Sequence, residues 1–348
     1  MTAATTAERD ATAGLGPATR RTPRFWLVVA VVVFALSVVA SIAIGARAVS
    51  IGDIWSGLTG STDGFAHAAV AKRIPRTALA ALAGAALAVS GLYLQGVTRN
   101  PLADPGILGI NSGAALAVVI GIAWGGLVNP TSYVWTAIFG ATVASVFVYG
   151  VSALGRGGPT PLKLALAGAA TMVAATSLTS AVLIPRPDIA ATVVSWEIGG
   201  VGGATTANLS LLVPFLLAGF AFCLITARGV NLLSLGDELA AGLGARVGLI
   251  RGAAAIGAVM LCGATTAVAG PISFVGLVVP HLCRLVAGVD YRWLLPISAL
   301  TGASLLMLSD VIGRFVMPPG EVDVGIITAL LGAPFFIVIV RRAKVREL

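Results

Sequence analysis

The feature that most constrains this chain is a series of long apolar runs that carry almost no charge. A helix needs about 20 apolar residues to cross a bilayer, and fewer where part of it is packed in protein. Of all residues 57% are hydrophobic and 10% are charged, whereas a soluble domain carries about 25% charged residues. The sequence therefore predicts an all-α polytopic membrane protein with about ten transmembrane helices. The predicted spans are 25–46, 77–97, 107–126, 134–154, 164–184, 209–226, 252–268, 272–286, 293–312 and 324–340.

The distribution of lysine and arginine predicts the orientation, because cytoplasmic loops are enriched in both residues. With the N terminus inside and ten alternating spans, 16 of the 22 basic residues fall on the cytoplasmic side and 6 outside. Residues 1–24 are predicted to be a cytoplasmic tail, and residues 25–348 a transmembrane domain that ends in the cytoplasm. The first apolar run is too long for a signal peptide. The basic residues are scattered, which argues against a nucleic-acid partner.

Two segments resemble each other weakly: GAALAVSG at 84–91 and GATTAVAG at 263–270. A proline follows ten residues after the last glycine of each copy. The copies lie in the second and seventh spans, which cross in opposite directions. This arrangement indicates an inverted repeat, a construction common in transporters, although glycine- and alanine-rich helices also resemble one another by chance.

A short amphipathic stretch, SLGDELAAGLGARV at 234–247, interrupts the apolar runs on the predicted cytoplasmic side. Glycines on both sides of it predict sharp turns at the ends of a short helix. Helices that lie on a bilayer carry basic residues on their polar face, but this one begins with Asp237 and Glu238, which suit a helix N-terminus. The stretch is therefore predicted to bind a soluble protein rather than lipid.

Basic residues are concentrated in the predicted outer segment 72–76, where the charge rule disfavours them. Lys72, Arg73 and Arg76 could meet an acidic partner, since complementary charge guides docking; anchoring to lipid phosphates is the alternative. Arg314 lies near the outer end of the ninth span and could join them. It is also spaced to pair with Asp310, four residues earlier on the same helix face.

Few residues offer chemistry of their own. The apolar runs hold almost no deep ionisable residue of the kind that marks ion or proton paths, and neither a paired-carboxylate site nor a P-loop is found. No catalytic or metal-binding residue is predicted. The three cysteines (Cys223, Cys262 and Cys283) are expected to be small buried hydrophobic residues. The irregular run 99–113 is expected either to be buried at membrane depth or to form a simple turn.

Five motifs together resemble the FecCD family, the permease subunits of ABC importers for iron–siderophores, haem and vitamin B12. They follow the family's order and span nearly the whole chain after the tail. The motifs are RIPR (73–76), GAALAVSGLYLQGVTRNPLADPGILG (84–109), GDELAAGLG (236–244), GPISFVGLVVPHLCRL (270–285) and VGIITALLGAPFF (324–336).

The resemblance implies a type II ABC importer permease fold with ten spans in a cell-membrane subunit that has no enzymatic activity. It also implies a second permease subunit, identical or paralogous, and two cytoplasmic ATPase subunits that hold the ATP and Mg²⁺. No cofactor is expected on this chain itself. A substrate-binding protein is expected to dock outside and deliver an iron(III)–siderophore; haem and vitamin B12 are the alternative substrates. An ion-coupled secondary transporter is the less favoured alternative function.

The resemblance also implies roles for individual residues. The coupling element that inserts into the ATPase would comprise Gly236, Asp237, Glu238, Leu239, Ala240, Leu243 and Gly244. Docking of the binding protein would use Arg73, Arg76 and Arg314, and the inner gate would include Thr160, Pro161 and Leu162. The chain departs from the family pattern at Asp323, which stands where the family usually has proline.

Overall fold

The computed structural model describes residues 22–45, 65–101, 103–127, 130–154, 161–317 and 320–344. In these ranges the chain is helical, apart from short connections and one 3₁₀ turn at Pro105–Leu108. The helices are α1 (Pro23–Ala43), α2 (Phe65–Thr98), α3 (Ile110–Gly125), α4 (Pro130–Ala153), α5 (Pro161–Leu183), α6 (Pro187–Ile198), α7 (Thr206–Leu233), α8 (Asp237–Gly242), α9 (Val247–Ala269), α10 (Val275–Ala287), α11 (Tyr291–Val316) and α12 (Val324–Lys344).

Each of the ten predicted spans overlaps one of these helices, which confirms the predicted fold class. Seven of the helices in the described ranges are long and apolar enough to cross a membrane, namely α1, α2, α4, α5, α7, α9 and α11. The other three spans coincide with shorter apolar helices, α3, α10 and the apolar part of α12. A shorter apolar helix can still serve as a span where neighbouring helices cover its ends.

Helix α2 lies at the centre of the bundle, where it contacts α1, α7, α9, α10 and α11. Glycines allow the closest of these contacts. A Cβ atom on Gly91 would overlap the backbone of Gly276 on α10, and one on Gly84 would overlap the backbone of Gly302 on α11. Without a strong hydrophobic force between helices in lipid, such close backbone approach supplies much of the packing energy.

Two helical features differ from the predicted spans. Helix α2 begins twelve residues before the predicted start at residue 77 and contains Pro75, which lies within the predicted outer segment 72–76. Helix α6 occupies a segment that was predicted to be an outer connection. It ends at Gly199, whose φ is 78° and whose carbonyl accepts a hydrogen bond from the Gly325 amide at 3.0 Å. Contacts with α12 therefore hold this short helix.

Candidate functional sites at the two ends of the bundle

Polar side chains concentrate at opposite ends of the bundle, here called the Asp237 end and the Arg76 end. The C-terminal end of α2 and the first turns of α9 both lie at the Asp237 end, because Arg99 and Arg251 each bind Asp237. These two helices therefore run in opposite directions, as the proposed inverted repeat requires. The repeat itself remains a prediction.

Helix α8 forms a short projection at the Asp237 end. It begins after Gly236, with a φ of 115°, and is followed by Gly244, with a φ of 81°. Both values lie where residues with a side chain are strained, which confirms the predicted sharp turns. Leu239 is 63% exposed and Leu243 is 65% exposed, whereas Ala240 is fully buried. The helix thus presents leucine side chains outward and attaches to the bundle through its small residue.

The two acidic residues of α8 have different surroundings. Glu238 is exposed. The Asp237 carboxylate accepts hydrogen bonds from Arg251 at 3.0 and 3.2 Å and from the Arg99 guanidinium. The two arginine partners were not anticipated from the sequence, because nothing in the local pattern pairs residue 237 with either of them.

The irregular run after α2 is exposed at Arg99 and Pro101, but its described residues from Ala103 to Gly113 are buried or partly buried. Asp104 caps the 3₁₀ turn by accepting a hydrogen bond from the Gly106 amide at 3.1 Å. The carboxyl lies deep among protein atoms, although part of its surface remains accessible. This burial raises the pKa of Asp104 to about 6, and the Gly106 hydrogen bond opposes the shift.

The predicted inner gate is only partly described. Thr160 lies outside the described residues, and Pro161 is the first residue of α5. Leu162 is 69% exposed on this subunit. Its role as a gate residue remains a prediction.

The Arg76 end is organised around the buried carboxylate of Asp310, which is 2% exposed. Arg76 donates to it from Nε at 3.0 and 3.1 Å and from a terminal nitrogen at 2.7 Å. Arg314 lies 3.1 Å from it on the same helix face, which confirms the pairing predicted from the spacing. The other terminal nitrogen of Arg76 binds the half-exposed Glu321 at 2.5 Å.

Arg73 and Arg314 bind the C-terminal end of α1. Arg73 donates to the carbonyl oxygens of Ile42 and Ala43 at 2.9 and 3.1 Å. Arg314 donates to those of Ser41 and Ile44 at 3.0 and 2.9 Å. The last four carbonyls of a helix have no partner within it, so these arginines cap α1.

The three arginines predicted to dock a partner thus lie together, as the sequence suggested. Arg73 and Arg314 are nevertheless buried, being 8% and 3% exposed, and Arg76 is mostly covered. The contacts of Arg76 with Asp310 and Glu321, and those of Arg73 and Arg314 with α1, join residues far apart in the chain, and no local pattern could reveal them. A docking role for them remains a prediction.

Asp323 lies at the start of α12, between the Arg76 end and α6. Its carbonyl accepts the Ile326 amide at 3.1 Å, and its carboxylate lies beside Gly200, where a Cβ atom would be 2.6 Å away. Burial raises the pKa of Asp323, while the positive charge of Arg76 opposes that shift. The residue that departs from the family pattern therefore fills a narrow space against Gly200.

An open apolar groove of about 570 Å³ runs along one face of α12. Ile198, at the end of α6, forms one side, and small or apolar residues of α12 form the rest. The three cysteines are buried and free, as expected.

Comparisons with known proteins agree with this architecture. Residues 8–342 match the FecCD transport family. The chain is 39% identical over 320 residues to the probable siderophore transport system permease protein YfiZ of Bacillus subtilis, covering 91% of this chain and 96% of that one. It is 43% identical over 272 residues to the iron(3+)-hydroxamate import system permease protein FhuB of the same organism, covering 78% and 71%.

A solved structure shows the same fold. It is an inward-facing conformation of a transporter assigned to the metal-chelate type of ABC transporters, with a TM-score of 0.77 and 28% identity. The match covers 92% of this chain and 99% of that one. The family match over nearly the whole length, the two relatives and the shared fold lead to one conclusion: the chain belongs to the FecCD transport family.

Proposed function

We propose that this chain is the membrane permease subunit of an ABC importer that carries an iron(III)–siderophore complex into the cytoplasm. The observation that carries the proposal is α8, a glycine-bounded helix that turns Leu239 and Leu243 outward at one end of the bundle. In a chain of this family, such a projection suits attachment to the ATPase. The permease would supply the path and receive the energy of a nucleotide that the ATPase binds with Mg²⁺.

The exposed leucines of α8 can provide much of the attachment. Fully burying one leucine side chain contributes about 1.5–3 kcal/mol, and Leu239 and Leu243 stand one helical turn apart. Glu238 adds a charge at the start of the helix. Two ATPase subunits would bind two copies of this helix, one from each permease subunit.

In this proposal the Asp237 end and both termini lie in the cytoplasm and the Arg76 end lies outside, as the excess of lysine and arginine on the predicted cytoplasmic side favours. A substrate-binding protein with acidic docking residues would meet the Arg76 end, where Arg76 is the least buried of the three arginines. Arg73 and Arg314 would shape this surface by holding the end of α1. Attraction between opposite charges would speed and orient the encounter.

We expect the second permease subunit, identical or paralogous, to pack beside the groove along α12. The path for the substrate would then run between the two permease subunits. The lining of the groove is almost entirely apolar, so it offers a large chelate a surface without strong binding groups. Selection among siderophores, haem and vitamin B12 would then fall mainly to the binding protein. The siderophore is favoured because YfiZ, a named siderophore transport permease, matches over 91% of this chain.

An ion-coupled secondary transporter would need ionisable residues deep in the spans. Among the described residues, Asp310 is the buried acid of a long span, and two arginines neutralise it near one end of α11. This arrangement suits a structural anchor better than an ion path.

Co-purification and uptake test the proposal directly. The chain would be produced with its partner ATPase and binding protein. Uptake of ⁵⁵Fe-labelled ferric hydroxamate, catecholate and citrate complexes would be measured, beside uptake of haem and vitamin B12. The Leu239→Ser/Leu243→Ser double variant should lose ATPase co-purification and uptake together. Leu154→Ser, which changes a similarly exposed leucine just after the end of α4, is the matched control. ATP-independent uptake, or full ATPase binding by the double variant, would refute the proposal.

A further inference from the structure

Asp237 joins α8 to two helices of the bundle at once. Arg99, just after the end of α2, and Arg251, in the second turn of α9, both donate to its carboxylate. Ala240 is the buried residue of α8 itself. Among the described residues, the side-chain ion pairs of α8 are therefore those of Asp237, and they lead to α2 and α9.

Arg99 adopts a backbone conformation that serves this contact. Its φ of 52° is one of two positive values recorded for non-glycine residues in the described chain. That region is unfavourable for residues with a Cβ atom and persists where surrounding contacts hold it. Arg99 Nε donates to the carbonyl oxygen of Leu233 at 3.1 Å, and another nitrogen reaches Asp237. Arg99 thus binds the joint between α7 and α8 from the end of α2.

Arg251 is held mainly by the same carboxylate. One terminal nitrogen donates to both oxygens of Asp237, while its Nε is buried without a hydrogen-bond partner in the described part of the chain. Loss of Asp237 would leave this partly buried guanidinium without its ion pair. A movement of α8 must therefore either break two charge-assisted contacts or displace the ends of α2 and α9.

We infer that Asp237 is a positioning residue that transmits the movement of α8 to α2 and α9. The inference rests on the proposed attachment of α8 to an ATPase, and it gives the two acids of α8 different tasks. Glu238 and the leucines face outward, toward the ATPase, whereas Asp237 faces its own subunit. Since α2 contacts α10 and α11 through backbone-to-backbone packing, a displacement of α2 reaches the centre of the bundle.

These ion pairs contribute little to folding. The Asp237 side chain is 45% exposed and that of Arg99 is 37% exposed, and solvent screens such pairs strongly. Variants of the three residues should therefore fold, which separates a role in transmission from a role in stability.

The experiment uses the complete complex, permease with ATPase and binding protein, in proteoliposomes. Asp237→Asn should keep ATPase co-purification and ATP hydrolysis, while the amount of substrate imported per ATP hydrolysed falls. The expected fall is about 2-fold to 30-fold, the range seen when single residues alter coupling between sites. Arg99→Gln and Arg251→Gln should each lower the same ratio, and Asp237→Glu should restore part of it. Asp290→Asn is the matched control, because that acid also binds an arginine and a second helix, through Arg292 and through Asn231 on α7, but does not contact α8 in the described part of the chain.

The outcomes separate the inference from the proposed function. An unchanged ratio of import to hydrolysis in Asp237→Asn would overturn the inference, as would loss of ATPase binding, which would assign Asp237 to the docking surface. If Asp237→Asn did not yield monodisperse protein, Arg99→Gln and Arg251→Gln would test the inference instead. Unchanged import per ATP hydrolysed in both of these variants would overturn it. Failure of the wild-type chain to bind the ATPase would refute the proposed function instead.

Discussion

Replacing Asp310 by asparagine tests whether the Arg76 end depends on a buried ion pair. The substitution keeps the size of the side chain but removes the negative charge that both Arg76 and Arg314 contact. Arg76 would retain Glu321. Arg314, only 3% exposed, would retain hydrogen bonds to α1 but no charged partner at such short range.

The burial of each carboxylate determines how far its loss should lower the free energy of unfolding. Removing one partner of a buried ion pair costs about 3–5 kcal/mol, because an uncompensated charge stays in the interior. At roughly 2–4 °C per kcal/mol, the Tm of Asp310→Asn should fall by about 6–20 °C. Glu321→Gln removes the other carboxylate on Arg76, but Glu321 is 41% exposed. Its loss should therefore cost about 1 kcal/mol or less.

Thermal unfolding of the purified permease in detergent, followed by tryptophan fluorescence at a fixed scan rate, compares the two variants with wild type. Both variants lose one negative charge that Arg76 contacts. They differ in the burial of that charge and in the loss of the ion pair with buried Arg314, and both differences make the Asp310 variant the less stable one. The reasoning is wrong if the Tm of Asp310→Asn falls no further than that of Glu321→Gln.

Two further predictions concern α2 and the connection that follows it. Gly91→Ala should lower the Tm, because the added methyl group overlaps the backbone of Gly276; Gly150→Ala, which meets nothing within 4 Å on α4, should leave it unchanged or slightly raised. Equal effects would contradict close packing at Gly91. The folded-state pKa of Asp104 is raised to about 6 from 3.8, so the folded state binds the proton more tightly and loses stability as the pH rises from about 4 through 6. Wild type should therefore gain stability between pH 7 and pH 5 relative to Asp104→Asn, and parallel pH profiles would refute this.

Most of the fold could be predicted from composition and periodicity, because a membrane span needs a long apolar run and little else. The short helix α6 was missed, since its 12 residues are too few for a span and its position depends on backbone contacts with α12. The predicted start of α2 was too late, because residues 72–76 were interpreted as an outer segment. In the structure they are helical, and contacts of Arg73 and Arg76 with distant residues hold them there.

The candidate sites were also predictable only where neighbouring residues in the sequence determine the structure. The turns around α8 could be predicted, because Gly236 and Gly244 encode them locally. The ion pair of Asp310 and Arg314 could also be predicted, because residues four apart lie on the same face of a helix. The partners of Asp237 could not, since Arg99 lies 138 residues away and only the packing of α2 against α7 and α9 brings it there.

The capping of α1 has a consequence for how the protein is made. Ser41 and Arg314, which bind each other across this cap, are separated by 273 residues. At synthesis rates of about 5–20 residues per second, that interval lasts roughly 14–55 seconds. During that time the end of α1 has left the ribosome, while one of the two arginines that satisfy its carbonyl groups has not been made. Helix α1 is thus synthesised early but capped late, and a chain truncated before α11 would leave this end of α1 without its Arg314 cap.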